Sequence, residues 1–490
     1  MNWRRRKVPN AENDAGTTVY DVVNQVVSMV TPLGNTSGMV YDPVGQRVAS
    51  IDPLLNITTS VYDARRMLQA RINPLSYIVT NSFDPVGNTF QTQNARGYLT
   101  TSVFDAINRR IASADALNAR TSYVWDNNGR NTSIIDARNG VITMAYSARD
   151  ELLAIANQIG LTTSYVFDAA GRASTRQFAS GDVTTYSNDA LGRQTGAFYA
   201  DATRTTFGFD PVGNRTTMAD STGTTSFAFD PVNRTIGRTD PGPLVQAISY
   251  DIAGQRKTLT DPDGGIRTYS YDLDSRVAVV QFPTGPTTFG YDVAAKEISQ
   301  SFATGAHMTR GYDAASQIVT TVWIETGGNQ WVTNSYDPNG SRLTAADILG
   351  NVTTYVMDVK DRLTKDNTTG PNAHLFNYSY DLVDNILTNN EGGPVVTSMY
   401  DLASRITTSI AGASVTTFGF DPNGNKTNVN AVGTLTTMGY DKENRLTNHQ
   451  QAGSVATYLY AADNMKRVEN VDGNCTTLVW DGSSYLEGRF

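Results

Sequence analysis

An aromatic residue followed by aspartate returns every 20 or 21 residues along this 490-residue chain. It stands at Tyr20-Asp21, Tyr41-Asp42, Tyr62-Asp63, Phe83-Asp84, Phe209-Asp210, Tyr271-Asp272, Tyr440-Asp441 and Trp480-Asp481, among others. With degenerate copies there are 23 anchors, and of the 22 intervals between them 13 are 21 residues and seven are 20. A fixed period of this kind marks a repeat architecture, in which each unit buries its apolar face against its neighbours. It leaves no stretch for an ordinary catalytic domain. Any function belongs to the array as a whole.

Each repeat reads as two short strands and two turns. Threonine, valine and aromatic residues alternate with period two, as in Thr205-Thr206-Phe207-Gly208-Phe209, which is a strand pattern. The turn after the anchor is explicit in Asp42-Pro43-Val44-Gly45, Asp84-Pro85-Val86-Gly87, Asp210-Pro211-Val212-Gly213, Asp337-Pro338-Asn339-Gly340 and Asp421-Pro422-Asn423-Gly424. Aspartate bonds the backbone ahead of it, proline presets the next φ and glycine relieves the exit, so a type I turn is expected. A second turn closes the repeat, as in Asp220-Ser221-Thr222-Gly223. Connections this short require an antiparallel meander. Helix is expected to be nearly absent, and the best helical window, 148–156, reads as a degenerate repeat.

Eleven repeats carry a second aromatic two residues before the anchor, among them Tyr123, Phe207, Tyr269 and Tyr458, and 21 of the 23 anchors are aromatic. Positions two apart share a face of a strand, so most aromatic mass falls in two parallel stripes. A stripe that spans every repeat reads as a core ladder rather than a stacking platform for sugars or bases. The opposite face reads as polar and threonine-rich. About 46 strands at roughly 4.8 Å spacing would make a ribbon ~220 Å long. Open sheets rarely exceed about ten strands without curling, so a spiral around a hollow interior is expected.

The remaining composition excludes function classes. The net charge is -8 with both signs interspersed, which argues against nucleic acid. No apolar run of about 18 residues is present to span a membrane, and no apolar segment follows Arg4-Arg5-Arg6-Lys7 to make a signal peptide. His307, His374 and His449 lack ligand spacing, no nucleophile elbow or phosphate loop occurs, and the recurrent aspartates are explained as turn formers. Catalytic residues, metal ligands and cofactors are therefore expected to be none. Cys475 is the one cysteine, and a packed or edge thiol is the reading for it.

These residues resemble the YD-repeat, or Rhs, family over residues 14–487. The hallmark is Tyr-Asp, a Gly-Asn/Arg turn and a threonine-rich strand, as in Tyr41-Asp42…Gly45-Gln46-Arg47 and Phe420-Asp421…Gly424-Asn425-Lys426. The resemblance implies a β-strand spiral forming a hollow shell, the fold of bacterial Rhs polymorphic toxins, Tc-toxin cocoons and the teneurin barrel. In the toxins such a shell encloses a C-terminal effector polypeptide, so the implied role is encapsulation or display of an associated polypeptide, as part of a longer exported or cell-surface protein. Toxin-type members close with a core segment and an aspartyl autoprotease. Here Trp480-Asp481-Gly482…Leu486-Glu487 resembles only the lead-in to that core. The chain accordingly reads as an N-terminal tail (1–13), one continuous repeat array (14–487) and a C-terminal stub (488–490), a fragment of a longer polypeptide or the product of a degraded or split gene.

One repeat departs from the period. The interval from Tyr312 to Tyr336 is 24 residues and holds Trp323-Ile324-Glu325-Thr326-Gly327-Gly328-Asn329-Gln330-Trp331. A projecting hairpin is expected. Trp323 and Trp331 are the candidate recognition residues for the alternative function, a surface adhesion or carbohydrate-binding module contacting a glycan or receptor. The structural anchors singled out are Tyr41, Asp42, Tyr62, Asp63, Phe209, Asp210, Tyr271, Asp272, Tyr440 and Asp441.

Overall fold

The computed structural model describes residues 4–9, 15–325, 327–482 and 484–489. They form 47 strands and, among the described residues, no helix. The window 148–156 is a turn running into the strand Leu152–Ala156, as the repeat phase requires. Consecutive strands pair antiparallel as hairpins, so the all-β meander read from the sequence is the fold. Within the segment read as a tail, Arg4–Pro9 is a strand paired with Ala15–Tyr20, and the remainder lies outside the described residues. Ser484–Arg489, which enters the stretch read as a stub, pairs with Asn474–Asp481.

The chain divides into two compact units, Met1–Ala119 with Ile248–Asn377, and Arg120–Ala247 with Tyr378–Phe490. Each unit joins two stretches of repeats that are distant in sequence. In both, the sheet is a single layer. Among the described residues only eleven apolar side chains are buried, including Met218, Leu259, Met308 and Val479. Several of these sit opposite members of the aromatic stripe, as Met218 does Phe207 and Val280 does Tyr269.

The anchor turn is more specific than a type I turn. In the second unit, Gly213 N–H donates to Asp210 O at 3.1 Å and Asp210 N–H to Asn214 O at 2.9 Å. Gly213 has φ 102°. This is a type I turn closed by a left-handed residue, a three-residue hairpin loop with a bulge. The bulge appears in the register, where Gly208 opposes Thr217 but Phe209 opposes Arg215. Asp210 Oδ1 accepts the N–H groups of Val212 (3.1 Å) and Asn214 (2.8 Å), which is why aspartate recurs there.

The second turn sets the period. In 21-residue repeats it is usually the same three-residue loop, as where Leu55 N–H donates to Asp52 O and Asp52 N–H to Asn56 O. In the 20-residue repeats around Asp220, Ala411, Ala431 and Gln451 it is a two-residue loop, with Asp220 opposite Gly223 and Ala411 opposite Ser414. One loop residue fewer accounts for one residue of period.

Candidate functional site

The aspartate of the anchor does two jobs. Its Oδ1 holds its own turn, and its Oδ2 receives the residue four positions on. That residue is often arginine: Arg172 Nε lies 2.7 Å from Asp168 Oδ2, Arg193 Nε 2.6 Å from Asp189 Oδ2, and Arg445 Nε 2.7 Å from Asp441 Oδ2. The guanidinium then crosses to the next repeat. Arg172 donates to Asp189 O (3.1 Å) and Arg445 to Ala461 O (2.9 Å), and Arg445 lies 5.1 Å from the Tyr460 ring centroid. In the first unit Arg276 stacks likewise on Tyr291 at 4.6 Å. Where asparagine replaces arginine, the link persists by another route: Asn214 Nδ2 bonds Asp210 Oδ2 and Asn233 Oδ1 of the following turn.

The anchor ring returns the connection. Tyr271 Oη donates to Arg256 O (2.8 Å), Tyr312 Oη to Glu297 O (2.8 Å), Tyr440 Oη to Lys426 O (2.9 Å), and Trp480 Nε1 to Lys466 O (2.7 Å). Tyr62 reaches Arg47 O in the same way at 3.2 Å. The Tyr-Asp pair is thus a clamp between repeats, and the sequence motif is its covalent trace. Hydrogen bonds hold these carboxylates in the charged form. Asp126 is lowered from its ordinary value first by the Arg130 backbone N–H and then by the Arg130 side chain. Asp168 is lowered first by its bond to the Arg172 guanidinium.

Within each unit a second set of polar contacts joins the two stretches edge to edge. In the first unit, Asp274 accepts Thr31 Oγ1 (2.9 Å) and Leu33 N–H (3.1 Å). Arg96 reaches Asp361 Oδ1 (2.6 Å) and Asp358 O (2.8 Å), and Lys360 Nζ lies 2.8 Å from Asp115 Oδ2. In the second unit, Arg176 bonds both Glu443 oxygens (2.9 and 3.0 Å), Lys442 meets Asp182 (2.8 Å) and Asp220 accepts Ala462 N–H (2.7 Å). Second turns of the earlier stretch, or at Arg176 the strand leading into one, meet anchor turns of the later stretch. Asp240 and Arg467, 2% and 4% exposed, lie 2.9 Å apart in this seam, with Arg238 and Asp463 beside them. Burial pushes the Asp240 carboxyl up, against the pull of Arg238.

The face opposite the aromatic stripe carries small, threonine and serine side chains, as where Gly208 opposes Thr217 and Ser335 opposes Thr344, with valines among them. In the first unit it carries half-exposed Val40, Val61 and Val103, and in the second Val124 and Val166. Their cross-strand partners are small and uncharged, such as Ala49, Ala70, Ala112 and Ser133. Elsewhere the row is small or polar or faces a charge, with Gly290 opposite Ser299 and Val356 opposite Lys365.

The 24-residue interval forms the hairpin Ile318–Glu325 with Gly328–Tyr336, strands of eight and nine residues. Register pairs Trp323 with Gln330 and Val322 with Trp331. Opposite residues share a face and neighbours alternate, so the two indoles lie on opposite faces and cannot form one stacking platform. Trp323 instead stacks on Phe302, with centroids 6.2 Å apart. The three histidines are dispersed, and among the described residues no group of three or more His, Cys, Asp or Glu could hold a metal. His307 bonds Ser301 and His374 sits near Asp366, Thr368 and Asn372. Cys475 is exposed on the strand Asn474–Asp481. Among the described residues no helix is long and apolar enough to cross a membrane. What sequence reasoning missed is the arginine column, whose signal, Arg four residues after Asp, was visible at Asp105-Arg109, Asp126-Arg130 and Asp168-Arg172.

A single-layer antiparallel repeat sheet, clamped repeat to repeat by Tyr-Asp pairs, defines the class. Comparison with solved structures agrees. The chain is similar to one in the Tc holotoxin pore of Photorhabdus luminescens, with a TM-score of 0.68 and 16% identity over 96% of this chain and 28% of that one. It is similar to a chain of the TcdB2–TccC3 crystal structure without the hypervariable C-terminal region, with a TM-score of 0.68 and 15% identity over 97% of this chain and 29% of the other. TcdB2–TccC3 itself gives 0.67 and 14%, covering 97% and 31%. The chain thus has the fold that the YD/Rhs resemblance implies, and it spans less than a third of the length of these solved chains. No family model and no curated protein matches it.

Proposed function

We propose that this chain is a non-enzymatic stretch of wall from a YD/Rhs-type shell, whose role is to enclose or display an associated polypeptide, a toxin effector by the resemblance. The observation that carries the reading is the seam. Each unit binds its second turns to its own later anchor turns, which makes a wall without interrupting any repeat. Clamp and seam account for nearly all the acidic and basic chemistry described, and none of it surrounds a reaction centre. The face opposite the aromatic stripe, built largely of small, threonine, serine and valine side chains, offers shallow contact that suits a chain of any sequence. A shell of this kind works outside the cell that makes it, so export as part of a longer protein belongs to the proposal. The likeness to TcdB2–TccC3 without its hypervariable C-terminal region supports a wall that stands without that region.

The test is limited proteolysis of the protein isolated from its native source. An enclosed polypeptide should co-purify and survive digestion until denaturant opens the wall. Absence of such a polypeptide, or its digestion at one rate before and after opening, would overturn the reading.

A further inference from the structure

The contiguous run Gly328 to Val332 of the 318–336 hairpin, residues of both faces, borders a cleft of about 590 Å³ together with Trp323 and Leu349. A cleft can touch both faces of a sheet only at a strand's edge. The next strand, Arg342–Asp347, pairs with the hairpin from Tyr336 back to Val332 and no further. Gly328 to Trp331 therefore have no strand on that side. The loop is closed by Glu325 opposite Gly328, and alternate residues of an antiparallel pair aim their backbone groups outward. The outward groups are the N–H and C=O of Asn329 and the N–H of Trp331, since the Val332–Asp347 pairing aims the Trp331 carbonyl at Ile348 N–H. Exposed edges are normally blunted by lysine, proline or a bulge. Residues 328–331 carry none of these.

We propose that this edge binds an extended, uncharged peptide segment by strand addition. The peptide backbone exchanges hydrogen bonds with Asn329 and accepts one from Trp331 N–H, and its alternating side chains fall against Trp323 on one face and Trp331 on the other. Trp323 is fixed for this by its stack on Phe302. The lining contains one carboxylate, Asp347, and it is committed to its own turn, accepting Leu349 N–H, Asn351 N–H and Asn351 Nδ2. Those bonds keep the Asp347 carboxyl charged, so an acidic segment is disfavoured and a neutral one with threonine or valine at adjacent positions fits. A sugar stacked between rings does not, because the rings do not share a face. The inference is independent of the wall reading, since the edge exists whatever the sheet encloses.

The full chain is titrated with a blocked seven-residue peptide of alternating threonine and valine, followed by tryptophan fluorescence. A twin peptide, N-methylated at its three central residues, is the backbone control, and cellotetraose is the glycan control. Strand addition predicts that the twin binds about tenfold more weakly or worse. Asn329→Pro removes an outward donor while leaving the pairing with 324, and should weaken binding about tenfold with unchanged circular dichroism. Trp323→Leu keeps the edge and loses the side-chain contact, so it should weaken both peptides' binding without abolishing the difference between them. Equal affinity for the two peptides, no peptide binding, or cellotetraose binding in their place would overturn the proposal.

Discussion

Arg193 holds its guanidinium 4.7 Å from the ring centroid of Phe209, the anchor of the following repeat. It does so while its Nε stays 2.6 Å from Asp189 Oδ2 and its Nη1 donates to Asp210 O at 3.1 Å. One side chain thus links a turn, the next turn's backbone and the next ring. A repeat protein's stability is the sum of each unit and its interface with its neighbour, so such links set how far unfolding spreads.

Arg193→Ala should therefore destabilise the second unit by about 1–2 kcal/mol, from a lost cation–π contact and two charge-assisted hydrogen bonds. Arg193→Lys keeps the charge without the fork and should fall between. Urea unfolding gives the magnitude. Hydrogen exchange should localise the loosening to the turns at 189–193 and 210–214, and uniform loosening of both units would contradict a local clamp.

The buried seam pair makes a larger prediction. Removing one partner of a buried ion pair leaves the other desolvated, a loss of about 3–5 kcal/mol. Asp240→Ala should approach that range, because it leaves two guanidiniums, Arg467 and Arg238, sharing Asp463 alone and also frees Thr225 Oγ1, which donates to Asp240 at 2.9 Å. Arg467→Met should lose less, since Arg238 still neutralises Asp240 at 3.0 Å. Thermal unfolding of the two single variants orders them. A milder effect for Asp240→Ala would mean that water enters the seam.

How much of this was legible depended on range. Asp42 as a turn former and Tyr41 as a stripe residue follow from neighbours within five positions, and both are where the pattern put them. The bulge was implicit in the same turns: Gly45 and Gly213 are the left-handed residues that a type I hairpin needs to match strand twist. The contact of Arg176 with Glu443, 267 residues away, was not legible. It depends on how many repeats lie between two touching edges, which follows from strand twist and coiling rather than from the period. The facing of Trp323 and Trp331 turned on register, where a shift of one residue exchanges faces.

Acid should dissolve the clamps before it affects anything else. Asp126 and Asp168 of the clamps are lowered from their ordinary 3.8, and so is Asp182 of the seam, first through its bond to Lys442. A depressed carboxylate contributes stability above its unfolded pKa and loses it as pH falls through the folded one. Strand content should hold from pH 7 to 5 and decline below about pH 4. Asp240 has the opposite sign, because its raised value makes proton uptake favour the folded state. It is one group against many, so the net slope is set by the clamps. Circular dichroism against pH checks this, and strand loss beginning near pH 6 would assign control to another group.

Leu55 marks a position where the repeat accepts strain. It closes the second turn with φ 67° and is 77% exposed, so its side chain gains little from burial. The left-handed conformation costs a non-glycine residue about 1–2 kcal/mol. Glycine relieves that but loses about 0.5–1 kcal/mol through its freer unfolded chain. Leu55→Gly should therefore stabilise the first unit by roughly 0.5–1 kcal/mol on these two terms. The converse change at Gly34, which closes the preceding second turn at φ 85° with open space around its missing Cβ, isolates the backbone term. Gly34→Ala should destabilise by about 1 kcal/mol, since no contact can be gained or lost there. If Leu55→Gly were destabilising while Gly34→Ala behaved as expected, the exposed leucine would be holding a contact in solution that offsets its strain, and the turn edge rather than the turn would be what selects it.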